Sequence, residues 1–89
     1  MERWLRIRDH PNYEVSNYGN VRNRRNGRLL KPVPNRKGGY YRVNLDGTQY
    51  YVHRLVVGAF FEESNKSGIK HTDGDHSNNA LTNLEWEVN

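Results

Sequence analysis

The amino-acid sequence predicts an α+β fold in which a small antiparallel sheet of short strands and hairpins carries one short helix. Three observations predict it: short runs of alternating apolar and polar residues bounded by Gly, Pro and Asn, an Asp-Gly pair between two such runs, and a later segment with helical spacing. With 89 residues, the chain suits one small domain whose hydrophobic core is thin.

The first third of the chain predicts short strands. "WLRI" alternates bulk and charge and predicts an opening strand. "YEVSNYGNVRN" predicts two strands that reverse at 16–17 with Gly19, the second one around Val21, because Asn and Gly tolerate the positive φ of a tight turn. "GRLLKPV" predicts a further strand, with Pro32 and Pro34 at its end or at a sheet edge.

The stretch "YYRVNLDGTQYYVH" predicts a β-hairpin. Asp46-Gly47 between its two halves is a pair favoured in two-residue hairpin turns. The face predicted to join the core contains Tyr41, Val43, Leu45, Tyr50 and Val52. The opposite face contains Tyr40, Arg42, Asn44, Gln49, Tyr51 and His53. The second set mixes rings with hydrogen-bonding groups, a composition that suits a DNA-facing surface as well as solvent.

The segment "HRLVVGAFF", residues 53–61, changes to a helical period. It predicts a short helix that packs on the sheet through one stripe: Leu55, Val56, Ala59 and Phe60. Gly58 costs up to about 1 kcal/mol relative to alanine inside a helix, so we expect close packing at that position. "EESNKSG", residues 62–68, predicts a loop.

Charge is distributed unevenly along the chain. Eleven of the fourteen Arg and Lys residues precede residue 45, against three of the ten acids. Because the planar guanidinium group matches phosphate oxygens and guanine edges, the basic half predicts a surface for nucleic acid. The candidate DNA contacts, with two tyrosines as packing partners, are Arg22, Arg24, Arg25, Arg28, Arg36, Lys37, Arg42, Tyr40 and Tyr51.

Several protein classes are disfavoured by the composition. The chain has no cysteine, which excludes disulfides and thiolate metal clusters. No apolar run approaches the ~20 residues that cross a bilayer. The N-terminus "MERWLRIRDH" lacks the apolar region of a signal peptide. We therefore expect a soluble, cytoplasmic domain without membrane association.

The tail "IKHTDGDHSNNALTNLEWEVN", residues 69–89, is dense in ligand-type side chains. A calcium-binding EF-hand loop starting at Asp73 requires Gly at its sixth position and Glu at its twelfth. The chain has Asn78 and Leu84 there, so the loop does not fit that motif.

A second interpretation of the tail is a polar loop between two packed segments. Asp73-Gly74 is a turn signal. The apolar anchors and capping amides of such a loop would be Leu81, Leu84, Trp86, Asn79 and Asn83.

A third interpretation rests on a family resemblance. The pieces "YEVSNYGNVRN", "VHRLVVGAFF" and "KHTDGDHSNNALTNLEW" occur in this order across nearly the whole chain. Together they resemble the phage and intron-encoded HNH homing endonucleases, including their N-terminal nuclease-associated modular domain. The resemblance implies that the C-terminal segment is part of a ββα-metal, or His-Me, finger.

The resemblance also implies a chemistry. Such fingers hold one divalent ion, Mg²⁺ or Mn²⁺, beside the scissile phosphate, and a histidine takes a proton from the attacking water. By motif position, His71 matches this general base, and an unperturbed histidine, with a pKa of about 6.5, suits the task. Asn83 matches the central asparagine that orients the histidine.

Two positions depart from the family pattern. The residue before the catalytic histidine is usually an oxygen donor to the metal, but here it is Lys70, whose ammonium has no lone pair. The third signature residue lies on a helix after "NLEW", and three residues after Trp86 do not form that helix. Asp75 and His76 are the remaining candidate metal ligands. We therefore expect a finger that lacks its final helix.

Three hypotheses follow for a single domain of residues 1–89, with 1–52 as its basic DNA-binding part and 53–89 as helix and finger. The first is a DNA-binding domain of the HNH type with impaired or lost cleavage. The second is an active metal-dependent endonuclease that nicks or cuts DNA. The third is a protein-interaction factor whose basic half binds an acidic protein.

Overall fold

The computed structural model of the protein describes residues 1–61 and 68–87. Its elements are β1 Trp4–Ile7, β2 His10–Ser16, β3 Val21–Asn23, β4 Val33–Pro34, β5 Tyr41–Leu45, β6 Thr48–Tyr51, α1 Val52–Phe60, β7 Gly68–His71, a 3-10 turn Leu81–Asn83 and β8 Leu84–Glu87. These strands pair antiparallel in three small sheets, ordered β1-β2-β3, β4-β5-β6 and β7-β8. The predicted α+β class is confirmed. The predicted loop at 62–68 lies outside the described residues, except for Gly68, which begins β7.

The first sheet reverses where the sequence predicts. Ser16 ends β2 with its side chain fully buried, and its Oγ accepts hydrogen bonds from the backbone N–H groups of Tyr18 (3.2 Å) and Asn20 (3.1 Å). The same hydroxyl donates to Oε2 of Glu2 at 2.6 Å. Gly19 completes the turn at φ +87°, in the left-handed region that glycine adopts readily. The turn is therefore fixed by a buried hydroxyl and one glycine.

The hairpin in the second sheet also matches its prediction. Leu45 pairs with Thr48, so Asp46 and Gly47 form a two-residue turn, with φ of 54° and 92°. Positive φ at both positions is the requirement of a type I′ turn, which matches the natural twist of the strands. Of the predicted core face, Val43, Leu45 and Val52 are buried, and Tyr41 and Tyr50 pack against the core.

The segment "GRLLKPV" was predicted as one strand, and this prediction is wrong in its extent. Leu29 forms an isolated bridge with Arg22, and a separate two-residue strand, β4, begins at Val33. Leu29 and Val33 are both largely exposed. With their side chains outside the core, little burial favours a longer continuous strand.

Helix α1 follows β6 without a loop and covers the core. Its buried residues are Val52, His53, Val56 and Val57, while Leu55, Ala59 and Phe60 are partly buried. The face of α1 that packs on the core therefore differs from the predicted one, because Val57 is buried whereas Leu55 is only partly buried. The expected close packing at Gly58 is wrong: that residue is exposed, and a Cβ there would meet no atom within 4 Å.

One core connects the three sheets and the helix. Leu84 on β8 joins the buried apolar residues of the other elements, and Leu81, Trp86 and Ile69 pack against them. The predicted anchors Leu81, Leu84 and Trp86 are confirmed. The buried apolar set is Ile7, Val15, Val21, Val43, Leu45, Val52, Val56, Val57 and Leu84. Among the described residues, no helix is both long and apolar enough to cross a membrane.

Candidate functional site

Five rings meet where the second sheet, α1 and the tail converge. This ring cluster consists of Tyr40, Tyr51, His53, His71 and His76. Tyr40 stacks on His76 with ring centroids 4.0 Å apart, and His53 meets His71 edge to face at 5.2 Å. Histidines from three different chain segments thus surround one tyrosine.

His71 ends β7 and is 5% exposed. Its Nε2–H donates to Oδ1 of Asn79 at 2.8 Å. In the neutral ring the lone pair then lies on Nδ1, which is buried and has no hydrogen-bond partner among the described residues. Nδ1 is thus the atom of His71 that could take a proton, as general base catalysis requires.

His53 was predicted on the outer face of the hairpin, and this is wrong. It lies in the first turn of α1, is 6% exposed and leaves its own Nδ1 buried without a described partner. Burial lowers the pKa of His53 to about 4, helped by the nearby charges of His71, Arg54 and His76. His53 is therefore neutral near pH 7.

A basic loop closes over the cluster. The loop joins β4 to β5 and carries Arg36 and Lys37, both exposed. Asn35 and Tyr40 hold its ends together, since the N–H of Asn35 donates to the carbonyl of Tyr40 and the N–H of Tyr40 donates to Oδ1 of Asn35, each at 2.9 Å. At its tip, the carbonyl of Gly38 accepts a hydrogen bond from Nδ1–H of His76 at 2.5 Å.

Asn83 has partners other than the histidine it was expected to orient. Its Oδ1 accepts from the hydroxyl of Thr72 (2.6 Å) and the N–H of Asp73 (3.2 Å), while its Nδ2 donates to Oδ1 of Asp73 and the carbonyl of Asn78. The amide therefore shapes the polar loop 72–78. Asn79, expected to cap backbone groups, is the residue that binds the ring of His71.

The two candidate metal ligands, Asp75 and His76, have hydrogen-bond partners within the protein. Within 1–61 and 68–87, no three His, Cys, Asp or Glu side chains come together to hold an ion. Asp75 accepts hydrogen bonds from the hydroxyl and N–H of Ser77, which lower its pKa, and His76 is engaged with Gly38. Lys70 precedes His71 on β7, so the two side chains lie on opposite faces of the strand. Its Nζ lies 3.9 Å from Oε1 of Glu85 on β8.

The predicted DNA contacts fall into three groups. Arg22 is half-buried. Its Nε–H donates to Oε1 of Glu14 at 2.9 Å, and its Cζ lies 3.9 Å from the ring centroid of Trp4. The turn after β3 contains Arg24, Arg25 and Arg28, all exposed. The third group lies at the ring cluster or next to it. Tyr40 and Tyr51 are two of its rings, Arg42 pairs with Tyr51, and the basic loop carries Arg36 and Lys37. Arg22 is thus tied into the fold, while the third group lies around the candidate site.

Sequence reasoning missed His53, Asn79 and Arg54 as members of the site. Arg54 is exposed on the first turn of α1, beside His53. The signal that could have found His53 and Arg54 is the change from strand to helical period at 52–53. Because of that change, His53 and Arg54 belong to a helix that packs against the tail and not to a face of the hairpin.

Comparison with known proteins places the N-terminal half of the chain in a known family. The model of the NUMOD4 motif matches residues 2–46. The chain belongs to the NUMOD4 family. This NUMOD4 chain is 40% identical over 89 residues to uncharacterized HNH endonuclease L245 of Acanthamoeba polyphaga mimivirus, covering 94% of the chain and 26% of that protein. It is 41% identical over 81 residues to DNA endonuclease I-HmuI of Bacillus phage SP01, covering 83% of the chain and 45% of that protein.

The fold of the NUMOD4 chain also matches a solved structure. That structure concerns DNA binding and cleavage by the HNH homing endonuclease I-HmuI, and the match has a TM-score of 0.82 at 35% identity. It covers 97% of this chain and 52% of the I-HmuI chain. The predicted resemblance to HNH homing endonucleases is confirmed, and the chain spans about a quarter to a half of the length of these relatives.

Proposed function

We propose that this NUMOD4 chain is a double-stranded-DNA-binding domain of the HNH homing-endonuclease type whose cleavage activity is impaired or lost. Residues 1–52 supply most of the DNA-binding surface, and residues 53–89 supply the helix and the finger. His71 occupies the motif position of the general base, and hydrogen bonds of Asn83 stabilise the loop 72–78 that follows it.

One observation carries the DNA-binding part of the proposal. The basic loop with Arg36 and Lys37 is joined to the histidine cluster through the contact of Gly38 with His76 and the stacking of Tyr40 on His76. A phosphate backbone held by this loop would therefore lie beside His71. The I-HmuI structure, which concerns both DNA binding and cleavage, supports a nucleic-acid partner over an acidic protein.

The side chains around His71 support the proposal that cleavage is impaired. HNH endonucleases work with a divalent ion, and within 1–61 and 68–87 no three His, Cys, Asp or Glu side chains come together to hold one. His71 itself is 95% covered by its neighbours, which leaves little room for an attacking water. Without a metal to stabilise the charge that develops on the phosphate, a base alone contributes little to hydrolysis.

Binding to a 20-base-pair duplex is expected to weaken steeply with salt. Each phosphate contact releases counterions and adds about 0.9 to the slope of log affinity against log salt. In the double variant Arg36→Gln/Lys37→Gln, the slope of log affinity against log salt should therefore be shallower by about 2. Fluorescence anisotropy between 50 and 300 mM salt measures it.

A control double variant with the same charge change is Lys31→Gln/Lys70→Gln. Both of its lysines are exposed, neither is among the predicted DNA contacts, and the ammonium of Lys70 lies beside Glu85. Its slope should stay near that of the wild type. A wild-type slope near zero would reject DNA binding and favour an acidic protein partner instead.

Nicking of supercoiled plasmid in Mg²⁺ or Mn²⁺ is expected to stay at the level of the His71→Ala variant. The comparison isolates His71, and His10→Ala serves as the control because His10 bonds Asp46 and Tyr50 outside the cluster. Conversion to open circles by the wild type and by His10→Ala, but not by His71→Ala, would establish the alternative: an active metal-dependent HNH endonuclease.

A further inference from the structure

Gly58 lies inside α1, and the packing of the described residues gives no reason for a glycine there. Glycine weakens the interior of a helix relative to alanine, and it suits positions that another group approaches closely. Here, however, the residue is exposed, and a Cβ would meet no atom within 4 Å. The space that the missing side chain leaves is therefore open at the surface of the domain.

That space belongs to a groove of about 420 Å³ between β1 and α1. On the helix, Leu55, Gly58 and Ala59 share one side, because residues three and four apart are neighbours on a helix surface. On the sheet, Leu5 lies on the same face as the buried Ile7, yet its side chain is 42% exposed. The groove therefore has apolar walls on both sides, formed by side chains that the core leaves partly uncovered.

The open edge of β1 runs along this groove. β1 is the edge strand of the first sheet and pairs with β2 alone among the described strands. The N–H of Asn17 donates to the carbonyl of Arg3 at 3.1 Å, and such hydrogen-bonded pairs alternate along an antiparallel ladder. The main-chain groups of Trp4 and Arg6 therefore point to the open edge. Because the side chain of Arg6 lies on the outer face of the sheet, its main chain is the part that borders the groove.

Basic side chains surround the groove. Arg8 and Arg54, both exposed, are among the residues that line it, and none of its described lining residues is acidic. A second copy of the chain paired with β1 would bring Arg3, Arg6 and Arg8 of both copies together, and charged side chains on an edge strand oppose such pairing. A strand that contains carboxylates would instead meet opposite charges. The charge of the groove therefore favours an acidic partner over a second copy.

We propose that this groove is a docking site for an extended, acidic segment of a partner protein, which adds to β1 as a fourth strand of the first sheet. An added strand forms main-chain hydrogen bonds with Trp4 and Arg6, and its alternate side chains point to the two faces of the sheet. An apolar side chain on the groove side packs between Leu5 and Leu55, in the space that Gly58 leaves. Docking here does not require the proposed binding of DNA.

The first test uses a fluorescein-labelled peptide of alternating glutamate and valine, about nine residues long, which is within the usual length of a strand. Its binding, measured by fluorescence anisotropy, should saturate and should slow hydrogen exchange of the Trp4 and Arg6 amides. The same peptide with its central peptide nitrogens methylated, which cannot donate hydrogen bonds to β1, should bind at least about tenfold more weakly. A peptide of alternating lysine and valine should also bind at least about tenfold more weakly, because its charges are reversed.

The second test fills the groove from the side of the protein. Gly58→Leu should weaken peptide binding at least about tenfold, while the melting temperature stays the same or rises, because leucine favours a helix and the position is open. Its binding to the 20-base-pair duplex should be unchanged. Arg8→Gln/Arg54→Gln should also weaken peptide binding, and by more than the control Lys31→Gln/Lys70→Gln, which has the same change in charge.

Four results would overturn the docking site. The first is a wild type that does not bind the peptide, and the second is equal peptide affinity in the wild type and in Gly58→Leu. Displacement of the peptide by duplex, together with weaker duplex binding by Gly58→Leu, would assign the groove to DNA. A dimer in analytical ultracentrifugation that Gly58→Leu dissociates would assign it to a second copy. The proposed function is judged separately, by the salt dependence of duplex binding to the wild type.

Discussion

Replacement of Gly19 by alanine is expected to destabilise the fold by about 3 kcal/mol and to disturb His71 from a distance. Gly19 has φ +87°, which an L side chain rarely adopts. A Cβ at this position would lie 2.7 Å from both the carbonyl carbon and the carbonyl oxygen of Asn79. Because those atoms are backbone, they cannot swing aside as a flexible side chain would. The loop that presents Asn79 to His71 must move.

The matched control is Gly27→Ala. Gly27 also has positive φ, +72°, but a Cβ there would meet no atom within 4 Å. This variant should cost only about 1 kcal/mol, the penalty of the left-handed backbone alone. Urea unfolding measures both losses, and the imidazole NMR signals of His71 should shift in the Gly19 variant alone. Equal losses in the two variants would show that the contact with Asn79 does not constrain the turn.

Stability is expected to fall by about 2 kcal/mol between pH 7 and pH 5 because of His53 alone. Burial, with the charges of His71, Arg54 and His76, lowers its pKa in the folded state to about 4, whereas the unfolded chain has the ordinary value of 6.5. Between these values the unfolded state binds the proton and the folded state does not. Acid therefore favours unfolding, and the contribution of His53 is fully present above pH 6.5 and lost as the pH falls towards 4.

Urea unfolding at pH 7, 6 and 5 checks this prediction against the variant His53→Phe, which keeps a buried ring but has no titrating nitrogen. The pH dependence of the variant should be about 2 kcal/mol smaller than that of the wild type over this range. The pKa values of Glu2, Asp73 and Asp75 are lowered by hydrogen bonds, so their effects appear mainly in stronger acid. An unchanged pH dependence in the variant would mean that the pKa of His53 is the same in the folded and the unfolded protein.

Local signals in the sequence predicted several elements well. The Asp46-Gly47 pair predicted its hairpin and register, because a type I′ turn is specified by the two residues that form it. Alternation predicted which side chains of that hairpin face the core. The limits of α1 were predicted within one residue, but its buried side was not, since Val57 and Leu55 are equally apolar and only the position of the sheet distinguishes them.

The candidate site was predicted in its components and not in its contacts. The motif supplied His71 and Asn83, and the charge distribution supplied Arg36 and Lys37. The partner of His71 proved to be Asn79, because hydrogen bonds within the tail turn the amide of Asn83 towards Thr72 and Asp73. Which of several nearby amides reaches a ring depends on a few ångströms of loop geometry that composition does not encode.

The α+β class, the hairpin, the uneven charge and the family of this protein could all be predicted from the sequence, since each depends on residues that are adjacent in the chain or match a linear motif. The tertiary structure alone decided that His53 and Arg54 join His71 and that Gly38 touches His76. These groups lie between 17 and 38 residues apart in the chain, and only the packing of α1 and the tail on the sheets brings them within contact distance.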